Sequence, residues 1–228
     1  MIIGGIYPIL DDLWLEQSGY PALHREGTDL QRDVAPAREI AAACGRLKIP
    51  VVQLRSKTDP ARQERFMRGW CALFWQQAPD ISIILNDRPD LVPVLGADGV
   101  HVGQGDTDVA ACRRMIGDGG AIGLSTHFSH EIREAITCRA DYIGFGPIFA
   151  TATKPDTEAV RGIDRLKQVC SEPHPPLVAI GGITLERLPR VIRAGADAAA
   201  MIGALFPKQA PHRLDEAVAL WRESEADV

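Results

Sequence analysis

Short apolar runs recur along this chain, and each is followed by a stretch with helical periodicity. Apolar runs of four to eight residues predict buried strands, whereas apolar positions three and four residues apart predict amphipathic helices. Strands that alternate with helices in this way are typical of a parallel (β/α)8 TIM barrel, an α/β fold. The strand-like runs lie at 5–10, 51–54, 82–85, 99–102, 121–124, 142–145, 177–180 and 199–202.

We expect residues 1–228 to form one such barrel domain with two long connections. The first, at about 12–33, is polar with no clear period and is predicted to be a long first βα connection. The second, at about 146–162, contains "GPIFATATKP" and follows the sixth run. Because long loops in compact barrels are usually functional, the second connection is predicted to be a lid over a site.

One predicted helix carries an aromatic stripe. Phe66, Trp70 and Phe74 are four residues apart within 60–78, which places them on one helix face. Packing against the core is the simpler interpretation of this stripe, and a homodimer interface is the alternative. The segments 34–48 and 213–224 also have helical periodicity.

Composition limits the classes of partner. The net charge of −5 argues against a broad nucleic-acid or anionic-membrane surface, so an anionic ligand must be held by a few local cations or a metal. No apolar run approaches the ~18 residues of a membrane span, and the start of the chain lacks a basic, cleavable leader pattern. We therefore expect a cytoplasmic protein. The five cysteines show no CxxC pair and fall in helical stretches, which predicts reduced, mostly buried thiols.

Charged residues gather where the predicted strands end, which is the rim that carries the active site of a TIM barrel. Asp87 and Asp106 follow the third and fourth runs. Neighbouring strands are ~5 Å apart, so both carboxylates can reach one Mg²⁺ ion. Arg55, Lys57 and Lys154 come from other loops at the same rim. Two acids for a metal, surrounded by three cations, favour a polyphosphate site.

Glycines at the last two strand ends predict a second anion site. "IGGI" follows the seventh run and "IGA" the eighth, where TIM barrels commonly bind phosphate through backbone N–H groups. A tight turn without a ligand is the alternative. By contrast, Asp98, Asp141 and Asp197 precede their strands and are predicted to be turn residues at the opposite rim.

Taken together, these motifs resemble those of the thiamine phosphate synthase family. The similarity spans nearly the whole chain, through "QLRSK", "LNDRPDLVPVLGADGVHVGQGD", "IGLSTH", "GFGPIFATATK" and "VAIGGIT". The resemblance implies a Mg²⁺-dependent transferase with small-molecule substrates. It would join hydroxymethylpyrimidine diphosphate to hydroxyethylthiazole phosphate, forming thiamine phosphate and diphosphate.

The resemblance also assigns roles by position. It implies that the pyrimidine diphosphate contacts Gln53, Arg55, Lys57 and Asn86, with Ser125 and Lys154 completing the diphosphate site. Mg²⁺ would be held by Asp87 and Asp106. The thiazole phosphate would be held by Thr151, Thr153, Gly182, Ile202 and Gly203. Catalysis would depend on Arg55, Lys57, Ser125 and Lys154.

The chain departs from the family pattern at three positions. Ser56 stands where the family usually has Glu, Ala152 where it usually has Pro, and Gly203 where it often has Ser. We expect Ser56 to matter little if it points away from the site. The loss of a hydroxyl at Gly203 removes a hydrogen bond worth about 0.5–1.5 kcal/mol and keeps the backbone N–H.

Two other functions fit parts of the pattern. A thiazole tautomerase of the same fold would use a histidine near His127 as a proton shuttle, and a non-catalytic sensor would bind thiamine precursors without coupling them. A tautomerase needs neither the acid at Asp106 nor the lysine at Lys154, so their presence favours the synthase. His127 is then expected to support the site by hydrogen bonding.

Overall fold

The structure of the protein is a computed structural model, which describes residues 3–20, 23, 34–151 and 159–226. The predictions for Ala152, Thr153 and Lys154 lie outside the described residues, as does most of the first long connection. No helix within the described part of the chain combines the length and hydropathy needed to cross a bilayer.

Eight parallel strands pair in sequence order and close into a barrel, because β1 also pairs with β8. This confirms the predicted α/β TIM barrel. Three of the observed strands coincide with the predicted runs, and the other five differ from them by one or two residues at their ends. The strands are β1 (Gly5–Asp11), β2 (Val51–Arg55), β3 (Ser82–Asn86), β4 (Gly99–Val102), β5 (Ala121–Thr126), β6 (Tyr142–Phe145), β7 (Leu177–Ile180) and β8 (Ala198–Met201).

Helices follow the strands and surround the barrel. Several begin at an aspartate whose carboxylate accepts a hydrogen bond from a first-turn N–H, as Asp59 does from Arg62 at 3.0 Å and Asp108 from Ala111 at 2.8 Å. Within the described residues the helices are α1 (Asp12–Gln17), α2 (Ala35–Leu47), α3 (Pro60–Gln77), α4 (Leu91–Leu95), α5 (Val109–Ile116), α6 (Ser129–Thr137), α7 (Ile163–Cys170), α8 (Leu188–Arg193) and α9 (Leu214–Ala226).

Alternation along each strand divides the core into two layers. Side chains that point outward pack under the helices in one large cluster. Side chains that point inward form a smaller cluster inside the barrel, which includes Tyr7, Val51, Ile84, Tyr142 and Val178. Other inward-pointing residues follow this cluster, one or two pleats closer to the carboxyl ends of the strands. These are the positions at which a binding site can form.

The opposite rim is held by three aspartates, as predicted. The carboxylate of Asp98 accepts a hydrogen bond from Ile83 N at 2.8 Å, and Asp141 does the same with Ile122 N. Asp197 accepts from Leu177 N at 2.7 Å. Each carboxylate thus satisfies a backbone N–H at the start of the preceding strand, which explains the recurrent aspartate before β4, β6 and β8.

The aromatic stripe of α3 belongs to the core. Phe66, Trp70 and Phe74 are all buried within this one chain, so the interpretation of the stripe as a dimer interface is wrong. The rings of Trp70 and Phe74 lie 5.8 Å apart, a normal aromatic packing distance. A homodimer through another surface stays a prediction.

Two sequence-based expectations need correction. The first connection begins with a helix that its sequence pattern did not indicate: α1 forms at its start, and the Asp11 carboxylate accepts from Trp14 N at 3.0 Å and caps this helix. The cysteines are less uniform than expected. Cys44, Cys71 and Cys112 are buried helical thiols, but Cys138 follows the end of α6 and is exposed, and Cys170 is half-buried.

Candidate active site

A cavity opens at the carboxyl ends of the strands, and we call its entrance the mouth. It brings together most of the residues that the sequence pointed to, although they come from six different strand ends. Asp87 and Asp106 share this cavity with the cations Arg55 and Lys57. The predicted residues that line it are Gln53, Arg55, Lys57, Asn86, Asp87, Asp106, Ser125, Thr151 and Ile202.

The two acids of the mouth interact directly. Burial raises the pKa of Asp87 above its ordinary value, the ammonium of Lys57 opposes this rise, and the nearby Asp106 adds to it. Asn86 Nδ2 donates to Asp87 Oδ2 at 2.6 Å, and Gly103 N donates to Asp106 Oδ2 at 2.9 Å. Both carboxylates are therefore fixed in place by neighbouring donors.

The backbone of Asp87 is itself unusual. Its φ of 58° lies in the left-handed region, which non-glycine residues seldom adopt and which is enriched at functional sites. Its N–H donates to the carbonyl of His101 on the neighbouring strand at 2.9 Å. This bond holds the strand end in its strained conformation.

The cations of the mouth are each paired with an acid. Lys57 Nζ donates to Asp87 Oδ2, and Arg55 Nη1 donates to the carboxylate of Asp11 at the end of β1. Arg55 Nε is buried and has no hydrogen-bond partner among the described residues. A buried guanidinium N–H without a partner is costly, so this donor is suited to an anionic ligand.

A chain of hydrogen bonds forms the floor of the cavity. The hydroxyls of Tyr7 and Tyr142 are 2.9 Å apart, and Tyr142 Oη is 3.0 Å from His101 Nδ1. His101 Nε2 in turn lies 3.0 Å from Ser125 Oγ, and Gln53 Nε2 donates to Tyr7 Oη at 3.2 Å. Burial raises the pKa of both tyrosines well above the ordinary value, so both hydroxyls stay protonated at neutral pH.

Four residues of this site were not predicted from the sequence: Asp11, Tyr7, Tyr142 and His101. Asp11 stands at the end of β1, where the strand-end rule applied to the later strands would have found it. The other three lie at inward positions of their strands: Tyr7, Tyr142 and His101. The alternation of inward and outward side chains along a strand could have predicted that they point into the barrel. Alternation alone could not predict that these side chains form hydrogen bonds with one another.

The described residues at the start of the predicted lid lie against the loop that follows β7. We call residues 147–151 the lid stem and residues 180–183 the glycine loop. Ile148 N donates to Ile180 O at 2.9 Å, and Phe149 N donates to Gly181 O at 3.0 Å. Gly182 has a φ of 60°, and a Cβ there would lie 2.8 Å from Phe149 O. Glycine is therefore required for the lid stem to approach this closely.

Some predicted phosphate contacts lie beside the cavity and not on its wall. Gly181 and Ile202 line it, whereas Gly182 and Gly203 are their immediate neighbours outside the lining. The role of Gly182 and Gly203 as backbone donors to phosphate stays a prediction. Thr151 lies on the cavity wall, and Thr153 and Lys154 lie outside the described residues.

Two further expectations concern neighbouring side chains. Ser56 is buried and donates to Asp12 Oδ2 at 2.9 Å, away from the cavity, so this departure from the family pattern does not alter the mouth. His127 lines the cavity, and its Nδ1 lies 3.2 Å from Glu131 Oε2. That contact agrees with the expected hydrogen-bonding role.

A metal at this site would depend mainly on Asp87 and Asp106. No group of three or more His, Cys, Asp or Glu side chains suitable for a metal occurs in the described parts of the chain. Mg²⁺ does not need such a group, since it is usually held by one or two carboxylates together with substrate phosphates and water. The paired oxygens of Asp87 and Asp106 fit that requirement, and Mg²⁺ stays a prediction.

Comparisons with known proteins agree with the fold and the motifs. A solved structure described as thiamine phosphate pyrophosphorylase from Pyrococcus furiosus has a TM-score of 0.73 at 24% identity and covers 98% of this chain and 96% of its own. A curated thiamine-phosphate synthase from Haloarcula marismortui is 38% identical over 183 residues, covering 79% of this chain and 86% of its own. One from Koribacter versatilis is 44% identical over 163 residues, covering 71% and 76%.

The sequence profile described as thiamine monophosphate synthase matches residues 27–205, a range that includes the second to eighth strands and both acids of the mouth. This match spans more than half of the chain. Neither the tautomerase nor the sensor alternative is favoured by these comparisons. The chain belongs to the thiamine monophosphate synthase family and is an enzyme of the transferase class.

Proposed function

We propose that the mouth couples hydroxymethylpyrimidine diphosphate to hydroxyethylthiazole phosphate and releases diphosphate and thiamine phosphate. The observation that carries the proposal is the meeting of Asp87 and Asp106 with Arg55 and Lys57 in one cavity at the carboxyl ends of the strands. Although the net charge of the chain is negative, this cavity contains both the cations and the carboxylate pair for a metal ion that a departing diphosphate would need.

Leaving-group departure is the step that these charges assist. When the C–O bond between the pyrimidine methylene and diphosphate breaks, both electrons stay on the diphosphate, and its negative charge grows. Arg55 is held at the cavity wall by Asp11, so little reorganisation of this guanidinium is needed when that charge develops. The Nε–H of Arg55, which has no partner in the described part of the chain, would donate a hydrogen bond to an oxygen of the bound anion.

The donor set of Asp87 and Asp106 suits a Mg²⁺ ion. When bound there, Mg²⁺ would supply Lewis-acid stabilisation of the phosphate oxygens. Asn86 and the N–H of Gly103 hold the two carboxylates for this purpose. Because Lys57 already contacts Asp87, the lysine can turn to a phosphate oxygen once the carboxylate has another cation as its partner.

The floor of the cavity fits the uncharged part of the reaction. Tyr7 and Tyr142 stay protonated, and together with Gln53 and Ser125 they offer neutral hydrogen-bonding groups to a polar ring. The thiazole nitrogen carries no proton, so its attack on the pyrimidine methylene requires positioning and no general base. Exclusion of water by the lid would protect the electron-poor methylene from hydrolysis.

We place this reaction in the cytoplasm. All five cysteines are free thiols, a composition that suits a reducing compartment. The substrates are small molecules, and the acidic net charge offers no general surface for nucleic acid.

A turnover assay with both precursors and Mg²⁺ tests the proposal. We expect thiamine phosphate and diphosphate to form in equal amounts, and neither to form when one precursor is left out. Isomerisation of a carboxylated thiazole phosphate without the pyrimidine substrate would instead support the tautomerase. Binding of both precursors without product would support the sensor.

A further inference from the structure

Phe149, on the lid stem, is covered by two arginines that come from beyond the glycine loop. The guanidinium carbon of Arg187 lies 4.7 Å from the centre of the Phe149 ring, and that of Arg190 lies 5.8 Å from it. Both distances are within the range of cation–π attraction. Phe149 itself packs against the core. The lid stem is therefore attached to the barrel through this ring as well as through its backbone.

Arg187 makes a second contact that Arg190 is not seen to make. Its Nη1 donates to the carbonyl oxygen of Gly182 at 2.7 Å, a short hydrogen bond with a charged donor. One guanidinium thus holds the glycine loop by its backbone and the lid stem by its aromatic ring. The carbonyl of Gly182 shares a peptide plane with the N–H of Ile183, so this bond also fixes the orientation of that N–H.

The attachment matters because the two segments are already in close contact. Phe149 N donates to Gly181 O, and Gly182 has no room for a Cβ because Phe149 O lies so near. A change in the position of the lid stem would therefore be transmitted to the backbone of the glycine loop. Thr151, at the end of the same stem, lies on the cavity wall.

We propose that Arg187 is a positioning residue for the thiazole phosphate subsite, acting by tying the lid stem to the glycine loop. This inference rests on the proposed function. Arg187 does not line the cavity, and its effect is exerted through Gly182 and Phe149. It should govern how well the thiazole phosphate is held and how well water is excluded, and leave the pyrimidine diphosphate subsite unchanged.

Steady-state kinetics of Arg187→Ala test this role, with Arg190→Ala as the matched control. The control removes a cation over the same ring and leaves the bond to Gly182. For Arg187→Ala we expect the KM for thiazole phosphate to rise about ten-fold, as for loss of a hydrogen bond with a charged donor. The KM for pyrimidine diphosphate should stay within about two-fold of the starting protein, and Arg190→Ala should change neither KM by more than about two-fold.

The ratio of hydrolysed pyrimidine to thiamine phosphate is a second measurement. A general loss of rigidity in the fold would not raise this ratio in one variant only. In the side reaction the C–O bond to diphosphate breaks as before, water adds to the methylene, and a proton is released, giving hydroxymethylpyrimidine. We expect Arg187→Ala to form more hydroxymethylpyrimidine per thiamine phosphate than Arg190→Ala does. Equal partitioning in the two variants, or an equal rise in both KM values, would overturn the proposal.

A double-mutant cycle between Arg187 and Phe149 separates failure of this inference from failure of the proposed function, because it uses thermal unfolding and no substrate. Arg187→Ala and Phe149→Leu should each lower the Tm by a few degrees, and the double variant should lower it by less than the sum. Additive shifts would show that the two side chains do not act together. If the unchanged protein formed no thiamine phosphate, the proposed function would be refuted. A non-additive cycle in that same protein would still support the contact between Arg187 and Phe149.

Discussion

The indole ring of Trp14 fills the space that a side chain on residue 203 would need. A Cβ built on Gly203 would lie 2.7 Å from Trp14 Cζ2, closer than real side-chain contacts allow. The ring cannot simply rotate away, because Trp14 Nε1 donates to Phe206 O at 2.8 Å. The glycine at this position, where the family often has serine, is therefore accounted for by the tryptophan of α1.

We predict that Gly203→Ser destabilises the protein by about 1–3 kcal/mol, the usual cost of overpacking a filled site. The same change should raise the KM for thiazole phosphate, because the loop after β8 must shift. The free energy of unfolding in urea and the two KM values are the measurements.

Trp14→Ala supplies the control for this prediction. In the Trp14→Ala background the added serine has room, so Gly203→Ser should then cost less than about 1 kcal/mol. Equal costs of Gly203→Ser in the two backgrounds would show that the indole is not what excludes a side chain there.

Tyr142→Phe, at the floor of the cavity, is predicted to lower the free energy of unfolding by about 1–3 kcal/mol. Removal of this hydroxyl takes one hydrogen bond from the buried Tyr7 Oη, which keeps only the longer bond from Gln53 Nε2, and one from His101 Nδ1. Tyr20→Phe is the matched control, since its hydroxyl bonds to Ala210 O at an exposed position. Urea unfolding should separate the two variants, and equal small losses would contradict the buried network.

The cysteines should divide into reactive and protected thiols. Burial raises the pKa of Cys44 and of Cys71 to about 12, and that of Cys170 to about 11. Since the thiolate is the reactive form, these thiols should react slowly with iodoacetamide at pH 8, and exposed Cys138 should react first. Mass spectrometry of the folded protein over time tests this order, and rapid labelling of Cys44 would contradict the buried assignment.

The general layout of the site could be predicted because a parallel barrel collects all strand ends at one rim. That rule alone placed Asp87, Asp106, Arg55 and Lys57 together, and it assigned Asp98 to the other end. Each of these conclusions needs only the position of a residue relative to its strand, which local sequence patterns reveal.

Contacts between distant segments could not be predicted in the same way. The bond from Trp14 to Phe206 joins residues 192 apart in sequence, and the attachment of Phe149 to Arg187 depends on how two loops pack. The helical start of the first connection was missed for this reason: α1 is stabilised by the Asp11 cap and by packing of the partly buried Trp14 against the loop after β8, and its own sequence has no clear period.

Diphosphate release as a function of Mg²⁺ concentration, measured for Asp87→Asn beside Asp90→Asn, tests the central claim most directly. Asp90 lies three residues away on the exposed surface, where it pairs with Arg88, and so controls for the loss of one nearby charge. We predict that Asp87→Asn lowers the rate at saturating pyrimidine diphosphate and thiazole phosphate by about 100-fold or more and shifts the Mg²⁺ dependence to higher concentration. Asp90→Asn should change neither. An Asp87→Asn protein with the starting rate and the starting Mg²⁺ dependence would contradict the claim that this mouth is where diphosphate departs.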